Sequence, residues 1–190
     1  GYECHCVFIN DSITRKEQGE IANGQLVATR DVLEKGGIPV EIVSAAGTGT
    51  YDIAGKFPGI TELQVGSYLF MDTTYLQLDL PFQPALTVLA SVISRPQKDM
   101  AIIDVGKKMV APDFGLPQPF NLPGATVVKL SEEHGNLQLE GPALNLQVND
   151  LVKLLPSHCC TTINLHNYYY GLREDRVEVV WPVAARGASY

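Results

Sequence analysis

The sequence lacks long apolar runs and basic patches, and each absence excludes a class of protein. Without a leader-like start or a run of about 18 uncharged apolar residues, neither a signal peptide nor a membrane span is predicted. The 21 acidic residues outnumber the 14 basic ones, for a net charge of −7, and no arginine-rich stretch favours nucleic acid as a partner. We therefore expect a soluble, cytoplasmic protein with no membrane or nucleic-acid partner.

Cysteine is scarce, and an initiator methionine is lacking. The four cysteines form two tight groups, Cys4/Cys6 and Cys159/Cys160. Neighbours this close rarely bond to each other, so free thiols are the simpler interpretation, with a disulfide between the groups as the alternative. The chain opens at once on a segment typical of a buried strand, Tyr2–Ile9, which indicates a start within something larger.

What is present suits one domain or two small ones, since 45% of the 190 residues are hydrophobic. The first 80 residues follow an α/β pattern. An amphipathic helix is predicted over Glu17–Lys35 with Gly36 and Gly37 as its C-cap. Strands are predicted over Pro39–Ser44 and Thr61–Val65, with one helical turn over Tyr51–Ala54.

Beyond Leu80–Pro81 the pattern changes to β-branched runs punctuated by prolines, which keep any helix short. The fold class predicted is α/β plus β: a partial (β/α) barrel over 1–80, then an all-β, mainly antiparallel domain over 81–190. The predicted strands of that domain are Leu86–Ser94, Met100–Val105, Thr126–Leu130, Leu137–Leu139, Leu151–Leu155, Tyr168–Arg173 and Val177–Val183.

The segment Pro156–Asn167 carries the strongest chemical signal. It places His158 and Cys160 two positions apart, and imidazole nitrogen and thiolate sulfur are the donors that suit zinc. Such a pair shares a face only on an extended backbone, so a strand end or loop is expected here rather than a helix. Two donors leave coordination positions open, as catalysis requires. The alternative is a buried core histidine beside buried cysteines.

Two glycine turns follow predicted strands. Ala46–Thr50 and Gly66-Ser67 offer backbone N–H groups and hydroxyls to an anion, and adjacent strand ends of this kind could cradle a phosphate. Ordinary turns are the alternative.

Three further features carry weaker signals. His5 is predicted to face a site from the opening strand, opposite to its cysteine neighbours, or to be a core histidine. Ser131–Gly135 combines two carboxylates with an imidazole, which favours a solvated turn over a substrate or metal contact. Asp104–Lys108 and Asp113–Gly115 place charge at turns.

Taken in order, these pieces resemble the D-threonine aldolases and D-serine dehydratases, whose barrel is of the alanine racemase type. The resemblance covers essentially the whole chain. The matching motifs are His5-Cys6, Ser44–Thr50, Glu62–Asp72, Asp104–Lys108, Ser131–Gly135, Pro156–Thr161, and Val180–Val183 with Arg186-Gly187.

The resemblance implies pyridoxal 5′-phosphate bound to a (β/α)₈ barrel, a following β domain, and a homodimer. The positions implied to hold the cofactor phosphate are Gly47, Thr48, Gly66 and Ser67. Gln64 would face the pyridine nitrogen, and its neutral side chain makes a weaker electron sink than a charged partner would. His5 would lie near the cofactor ring.

The same resemblance implies that His158 and Cys160 bind a divalent metal, with zinc favoured and manganese or magnesium as alternatives. The substrate would be a small β-hydroxy D-amino acid. Cysteine at the second metal position is more like the D-serine and D-3-hydroxyaspartate dehydratases, whereas some aldolases carry an acidic residue there. Dehydration is therefore favoured over aldol cleavage.

The chain departs from the family in one large respect. The lysine that binds the cofactor covalently lies in an Arg-Pro-His-x-Lys-Thr-type sequence, which does not occur here. Lys56, Lys107 and Lys108 do not match it, so no catalytic residue is assigned. We expect the C-terminal half of a longer protein, or a companion chain that supplies the rest. The alternatives are a non-catalytic binding or structural protein and a metal protein without cofactor.

Overall fold

The computed structural model describes residues 1–2 and 5–188, whose contacts divide the chain into two units, Gly1–Ala85 and Leu86–Tyr190. We describe each unit by itself. The domain bounds expected from the sequence, 1–80 and 81–190, stay predictions. None of the helices in the described ranges is long and apolar enough to cross a membrane.

Helix α1 (Ser12–Lys35) is the longest element of the first unit. Asp11 is its N-cap, and the carboxylate accepts a hydrogen bond from the backbone N–H of Thr14 at 2.8 Å. Because this cap satisfies one of the unpaired N–H groups of the first turn, the helix begins earlier than the predicted Glu17. It ends at Gly36, as predicted.

Parallel pairing in the first unit is short. Strand β1 (Ser44–Ala45) pairs with β2 (Glu62–Leu63). Helix α2 (Tyr51–Ala54) lies between the two strands in sequence, as predicted. The predicted strand Thr61–Val65 contains β2, whereas the predicted strand Pro39–Ser44 overlaps β1 only at Ser44. Sequence indicates an extended backbone, whereas the length of a ladder depends on which neighbours pair with it.

The opening segment is the main correction in this unit. Tyr2 makes one parallel bridge to β1, but His5–Phe8 forms a 3-10 helix rather than the predicted strand. Cys6 and Val7, consecutive in sequence, are both buried, whereas a strand would send them to opposite faces. The expectation that His5 points away from two cysteines on a strand is therefore wrong. Cys4 lies outside the described residues.

An antiparallel sheet of six strands and a separate hairpin form the second unit, as predicted. The strands are β3 (Val88–Gln97), β4 (Met100–Ile103), β5 (Gln118–Pro119), β6 (Ala125–Leu130), β7 (Gly135–Leu139), β8 (Leu151–Leu155), β9 (Tyr168–Arg173) and β10 (Arg176–Pro182). The sheet has the order β5-β8-β3-β4-β7-β6, and all its pairs are antiparallel. The hairpin is β9 with β10.

Alternating side chains build the core of this sheet. In β8, Val152 and Leu154 are buried, whereas Leu151 and Lys153 are exposed, as expected of a strand with one face on the core. Pro119 lies on the edge strand β5, where its missing N–H costs no ladder bond.

A loop brings the end of β4 to the end of β8. Strands β4 and β8 both pair antiparallel with β3 and run in the same direction, but β4 ends opposite Val92, whereas β8 pairs with Val88–Ser91. The loop 104–117 leads from β4 to β5, which pairs with the last residues of β8, and Pro156–His158 leaves β8 there before the short helix α3 (Cys159–Ile163). This topology positions the candidate metal centre.

Candidate metal centre and anion-binding turns

His158 is the N-cap residue of α3, with an extended backbone (φ −144°, ψ 113°). Cys160 is the second residue of that helix. The sequence-based expectation of a strand end or loop is thus only half correct, because the extended residue is followed at once by a helix. His158 directly precedes the first turn of α3, which contains Cys160, so the two residues are close without a strand.

The two predicted metal ligands contact each other. The Cys160 side chain is hydrogen-bonded to the His158 imidazole. Cys160 is exposed, whereas Cys159 is buried with 1% of its surface accessible, and the two Sγ atoms lie 4.0 Å apart. The role of His158 and Cys160 as metal ligands stays a prediction.

Asp113 holds the other side of the histidine ring. Its Oδ2 lies 2.5 Å from His158 Nδ1, and its Oδ1 accepts a hydrogen bond from Thr161 Oγ1 at 2.9 Å. From the sequence, Asp113 was expected in a charged turn, and no contact with His158 was predicted. Forty-five residues separate the pair in sequence, and the loop 104–117 brings them together.

An aromatic ring fixes the plane of the imidazole. Phe114 stacks on His158 with ring centroids 4.2 Å apart and an interplanar angle of 4°. Offset stacking of this kind stabilises one ring orientation. Asp113 and Phe114 are adjacent in sequence, so one loop contacts both the edge and the face of the histidine.

Hydrogen bonds shift the pKa of both members of the pair. Burial lowers the pKa of His158, but its hydrogen bonds to Asp113 and Cys160 outweigh burial and hold it above its usual value. Burial raises the pKa of Asp113, but its bonds to His158 and Thr161 outweigh burial and hold it below its usual value. Asp113 is therefore ionised at neutral pH.

Further hydrogen bonds attach loop 104–117 to the segment around α3. Ser157 Oγ donates to the carbonyl of Gly115 at 2.7 Å. The backbone N–H of Ala111 donates to Thr162 Oγ1 at 3.2 Å. The ligand-bearing segment is thus anchored to this loop at points other than Asp113.

The donor set fits a metal ion with open coordination positions. Asp113 occupies Nδ1, so Nε2 of His158 is the nitrogen left to join the Cys160 thiolate. Among residues 1–2 and 5–188, no group of three or more His, Cys, Asp and Glu side chains could hold a metal ion. A structural zinc site has four protein ligands, so this pair would leave the remaining positions to water or substrate.

The Ser131–Gly135 motif is a solvated turn, the interpretation favoured from sequence. Lys108 Nζ lies 2.9 Å from Glu133 Oε1 and 3.3 Å from Glu132 Oε2, and all three side chains are exposed. The backbone N–H of Lys107 donates to the carbonyl of Ser131. These contacts join the β6–β7 turn to the residues that follow β4, and none of them involves His158 or Cys160.

In the first unit, the two predicted anion-binding turns lie side by side. Thr48 Oγ1 accepts a hydrogen bond from the backbone N–H of Tyr68 at 3.0 Å. Gly47 and Gly66 each precede a short 3-10 helix, so both turns present helix-start N–H groups. A side-chain carbon added at Gly66 would have open space around it, which is consistent with room for a bound group.

The other predicted cofactor residues lie outside the two parallel strands, with Ser67 and His5 in 3-10 helices. The backbone N–H of Gln64 donates to the carbonyl of Ala45 at 2.9 Å, directly after β2, and its side chain is exposed. Ser67 follows Gly66 and is partly buried. His5 is exposed, and its Nδ1 lies 2.8 Å from the Tyr2 hydroxyl. The cofactor-binding roles of these residues stay predictions.

Comparisons with known proteins show which enzymes the chain is similar to. Residues 85–172 match the family model of a putative serine dehydratase domain. The chain is 37% identical over 185 residues to the 3-hydroxy-D-aspartate aldolase of Paracoccus denitrificans (strain Pd 1222), covering 93% of this chain and 47% of that protein. It is 34% identical over 183 residues to the D-threonine aldolase of an Arthrobacter species, covering 93% and 48%.

A solved structure shows the same fold. The crystal structure of D-threonine aldolase from Filomicrobium marinum matches with a TM-score of 0.92 and 33% identity, covering 99% of this chain and 54% of that one. The chain thus spans about half the length of the curated relatives it matches. The predicted fold class is confirmed by this likeness, and over most of its length the chain is similar to D-threonine aldolases and 3-hydroxy-D-aspartate aldolases.

Proposed function

We propose that this chain is the metal-carrying part of a lyase that acts on small β-hydroxy D-amino acids and requires pyridoxal 5′-phosphate and a divalent metal. The observation that carries the proposal is the contact of His158 with Cys160, with Asp113 on the opposite ring nitrogen. An imidazole and a thiolate with open coordination positions suit a metal that must also bind substrate.

Zinc is the proposed metal. A thiolate is a soft ligand, and the combination of sulfur and imidazole nitrogen favours zinc over harder ions. Manganese and magnesium prefer oxygen ligands, so they would depend more on water and substrate oxygens at the open positions.

The adjacent turns of the first unit support the cofactor proposal. The Gly47 N–H donates to Thr50 Oγ1 at 3.3 Å, so Gly47 would contribute close backbone approach. The Gly66 N–H and the hydroxyls of Thr48 and Ser67 are suitable donors to a phosphate. A hydroxyl that accepts one hydrogen bond, as Thr48 does, can still donate one. Gln64 and His5 would contact the ring of the cofactor.

The chain's own residues would bind and orient the reacting groups. Pyridoxal 5′-phosphate would supply an electron sink for bond breaking at the α-carbon. A metal held by His158 and Cys160 would act as a Lewis acid toward the β-hydroxyl. Asp113 would keep the Nε2 lone pair of His158 available by accepting a hydrogen bond from the N–H at Nδ1.

Dehydration is the favoured reaction because a cysteine, rather than an acidic residue, stands at position 160. The substrate loses its α-proton and its β-hydroxyl as water, and hydrolysis then releases ammonia and a 2-oxo acid. The second candidate is aldol cleavage, which the likeness to two aldolases favours. There the hydroxyl loses its proton, the Cα–Cβ bond breaks, and glycine and an aldehyde form.

The cofactor lysine would come from elsewhere. Because the Arg-Pro-His-x-Lys-Thr-type sequence is not found in this chain, we propose that an N-terminal segment or a companion polypeptide supplies it. The complete protein would function as a homodimer. Chromatographic mass measurement of the complete protein tests that assembly.

The activity test uses protein purified from its source through a tag on this chain, so that any companion polypeptide is retained. D-Serine would give pyruvate and D-3-hydroxyaspartate would give oxaloacetate on dehydration. D-Threonine would give glycine and acetaldehyde on cleavage. Metal-dependent release of one product set supports the proposal and identifies the reaction. A folded, metal-binding sample without turnover would instead support the non-catalytic alternative.

A further inference from the structure

The orientation of His158 requires a contact other than an ordinary helix cap. N-cap side chains usually bond to backbone N–H groups of the first turn, but the His158 side chain makes no such bond. Without another partner the imidazole would rotate and present either nitrogen to solvent. The relevant partner is the carboxylate of Asp113.

Asp113 determines which nitrogen is available. The hydrogen bond at 2.5 Å between His158 Nδ1 and Asp113 Oδ2 engages Nδ1, whose N–H donates to the carboxylate oxygen. The lone pair is then on Nε2. Carboxylates in this position fix the tautomer and orientation of metal-binding histidines and raise their basicity.

The same carboxylate is anchored to the helix that carries the second ligand. Asp113 Oδ1 accepts a hydrogen bond from Thr161 Oγ1, and Thr161 directly follows Cys160. One side chain therefore links His158, which precedes α3, to the first turn of α3. This link would hold the two donor atoms at a constant separation.

Phe114 removes the remaining freedom of the ring. Its stacking at 4.2 Å restricts rotation of the imidazole out of its plane, while Asp113 restricts rotation within it. The His158 and Asp113 side chains keep 21% and 37% of their surfaces exposed. An ion pair with that exposure contributes little to stability, so its expected effect is on orientation.

We infer that Asp113, with Phe114 beside it, is a positioning residue for the metal: it fixes His158 with Nε2 toward the ion that Cys160 also binds. This inference rests on the proposed metal-binding role of His158 and Cys160. It assigns a function to loop 104–117, which contributes no metal ligand itself.

The test measures metal binding rather than turnover. The full chain, free of metal, is titrated with Co²⁺, and thiolate-to-cobalt absorption reports binding while chelator competition gives the affinity. We expect Asp113→Ala to weaken binding by about 10- to 100-fold, the range typical of such second partners of metal ligands. Circular dichroism and thermal melting of each metal-free variant establish that affinities of folded proteins are compared.

A conservative variant separates positioning from structure. Asp113→Asn can still accept from His158 through its amide oxygen and donate to Thr161 through its amide nitrogen. We expect it to bind Co²⁺ more tightly than Asp113→Ala. Glu133→Ala is the matched control, since it breaks an exposed carboxylate–cation pair of 2.9 Å elsewhere in the same unit and should leave Co²⁺ affinity unchanged.

The outcomes distinguish the two proposals. If the wild-type chain does not bind Co²⁺ through a thiolate, the metal site and the inference both fail. If the wild type binds and folded Asp113→Ala binds equally well, the metal site stands and the positioning role is wrong. Equal losses in Asp113→Ala and Glu133→Ala would also contradict a specific role of Asp113.

Discussion

Thr48 Oγ1 accepts a hydrogen bond from the backbone N–H of Tyr68 at 3.0 Å, which joins the turn after β1 to the turn after β2. Thr48 is almost completely buried, with 1% of its surface accessible. The bond therefore holds the two turns together in a water-poor environment, where a donor without a partner is costly. The proposed phosphate site depends on this contact.

Thr48→Val keeps the shape of the side chain and removes the acceptor. We expect it to lower the free energy of unfolding by about 1–3 kcal/mol, because the Tyr68 N–H loses its partner. It should also weaken the binding of pyridoxal 5′-phosphate, measured by quenching of tyrosine and tryptophan fluorescence. Thr61→Val is the matched control, since Thr61 Oγ1 accepts from the Val43 N–H at 2.8 Å outside the turns. Equal cofactor binding by both variants would contradict the proposed cradle.

Gly49 and Gly66 lie in the same two turns, but alanine should be strongly destabilising at Gly49 and nearly neutral at Gly66. A side-chain carbon at Gly49 would lie 2.0 Å from the carbonyl oxygen of Val7, whereas one at Gly66 would meet nothing within 4 Å. Gly49→Ala should destabilise the fold by more than about 3 kcal/mol, as over-packing against backbone does. Gly66→Ala should melt within a few degrees of the wild type. A stable Gly49→Ala variant in thermal melting would argue against this packing.

The accuracy of sequence-based prediction differed between the two units for physical reasons. Leu151–Leu155 and Tyr168–Arg173 were predicted to the residue, because one-sided burial imposes a period of two on the side chains. In the first unit, Tyr2–Ile9 resembles a strand in composition, but among its described residues Tyr2 makes a bridge and His5–Phe8 forms a 3-10 helix. Pairing depends on the neighbouring strand, which composition does not encode.

The candidate site was predictable in part. His158 and Cys160 were predicted as a metal-binding pair from their spacing and the family resemblance, and that role stays a prediction. The five-residue helix α3, which begins after His158 and contains Cys160, carries no periodic signal and was missed. Asp113 could be recognised as a charged turn residue, but its contact with His158 spans 45 residues and depends on the order of strands in the sheet.

Asp11 should make the stability of α1 depend on pH. The hydrogen bonds from Thr14 lower the pKa of Asp11 below its ordinary value of 3.8. A carboxyl whose pKa is lowered by folding stabilises the fold above its ordinary pKa, and that contribution is lost as the pH falls through the lowered value. Asp11→Asn caps the helix without titrating, so its melting temperature relative to wild type should rise as the pH falls below 3.8. A constant difference across that range would contradict the capping role.

Substitution by serine should affect zinc affinity at Cys160 and thermal stability at Cys159. Cys160→Ser replaces the proposed thiolate donor, so zinc affinity should fall by at least about tenfold with little change in melting temperature, since Cys160 is exposed. Cys159→Ser introduces a hydroxyl at a buried position and should lower the melting temperature while zinc affinity is retained. Dialysis against zinc followed by elemental analysis measures the zinc that each variant retains. A loss of zinc in the Cys159 variant alone would reverse the assignment.

The central claim is that His158 and Cys160 together bind a metal whose other positions are open. X-ray absorption spectroscopy of the zinc-loaded chain tests it most directly. The account predicts one sulfur neighbour at about 2.3 Å, one imidazole nitrogen at about 2.0 Å, and oxygen atoms in the remaining positions. A spectrum without sulfur, or one with four protein donors, would contradict it.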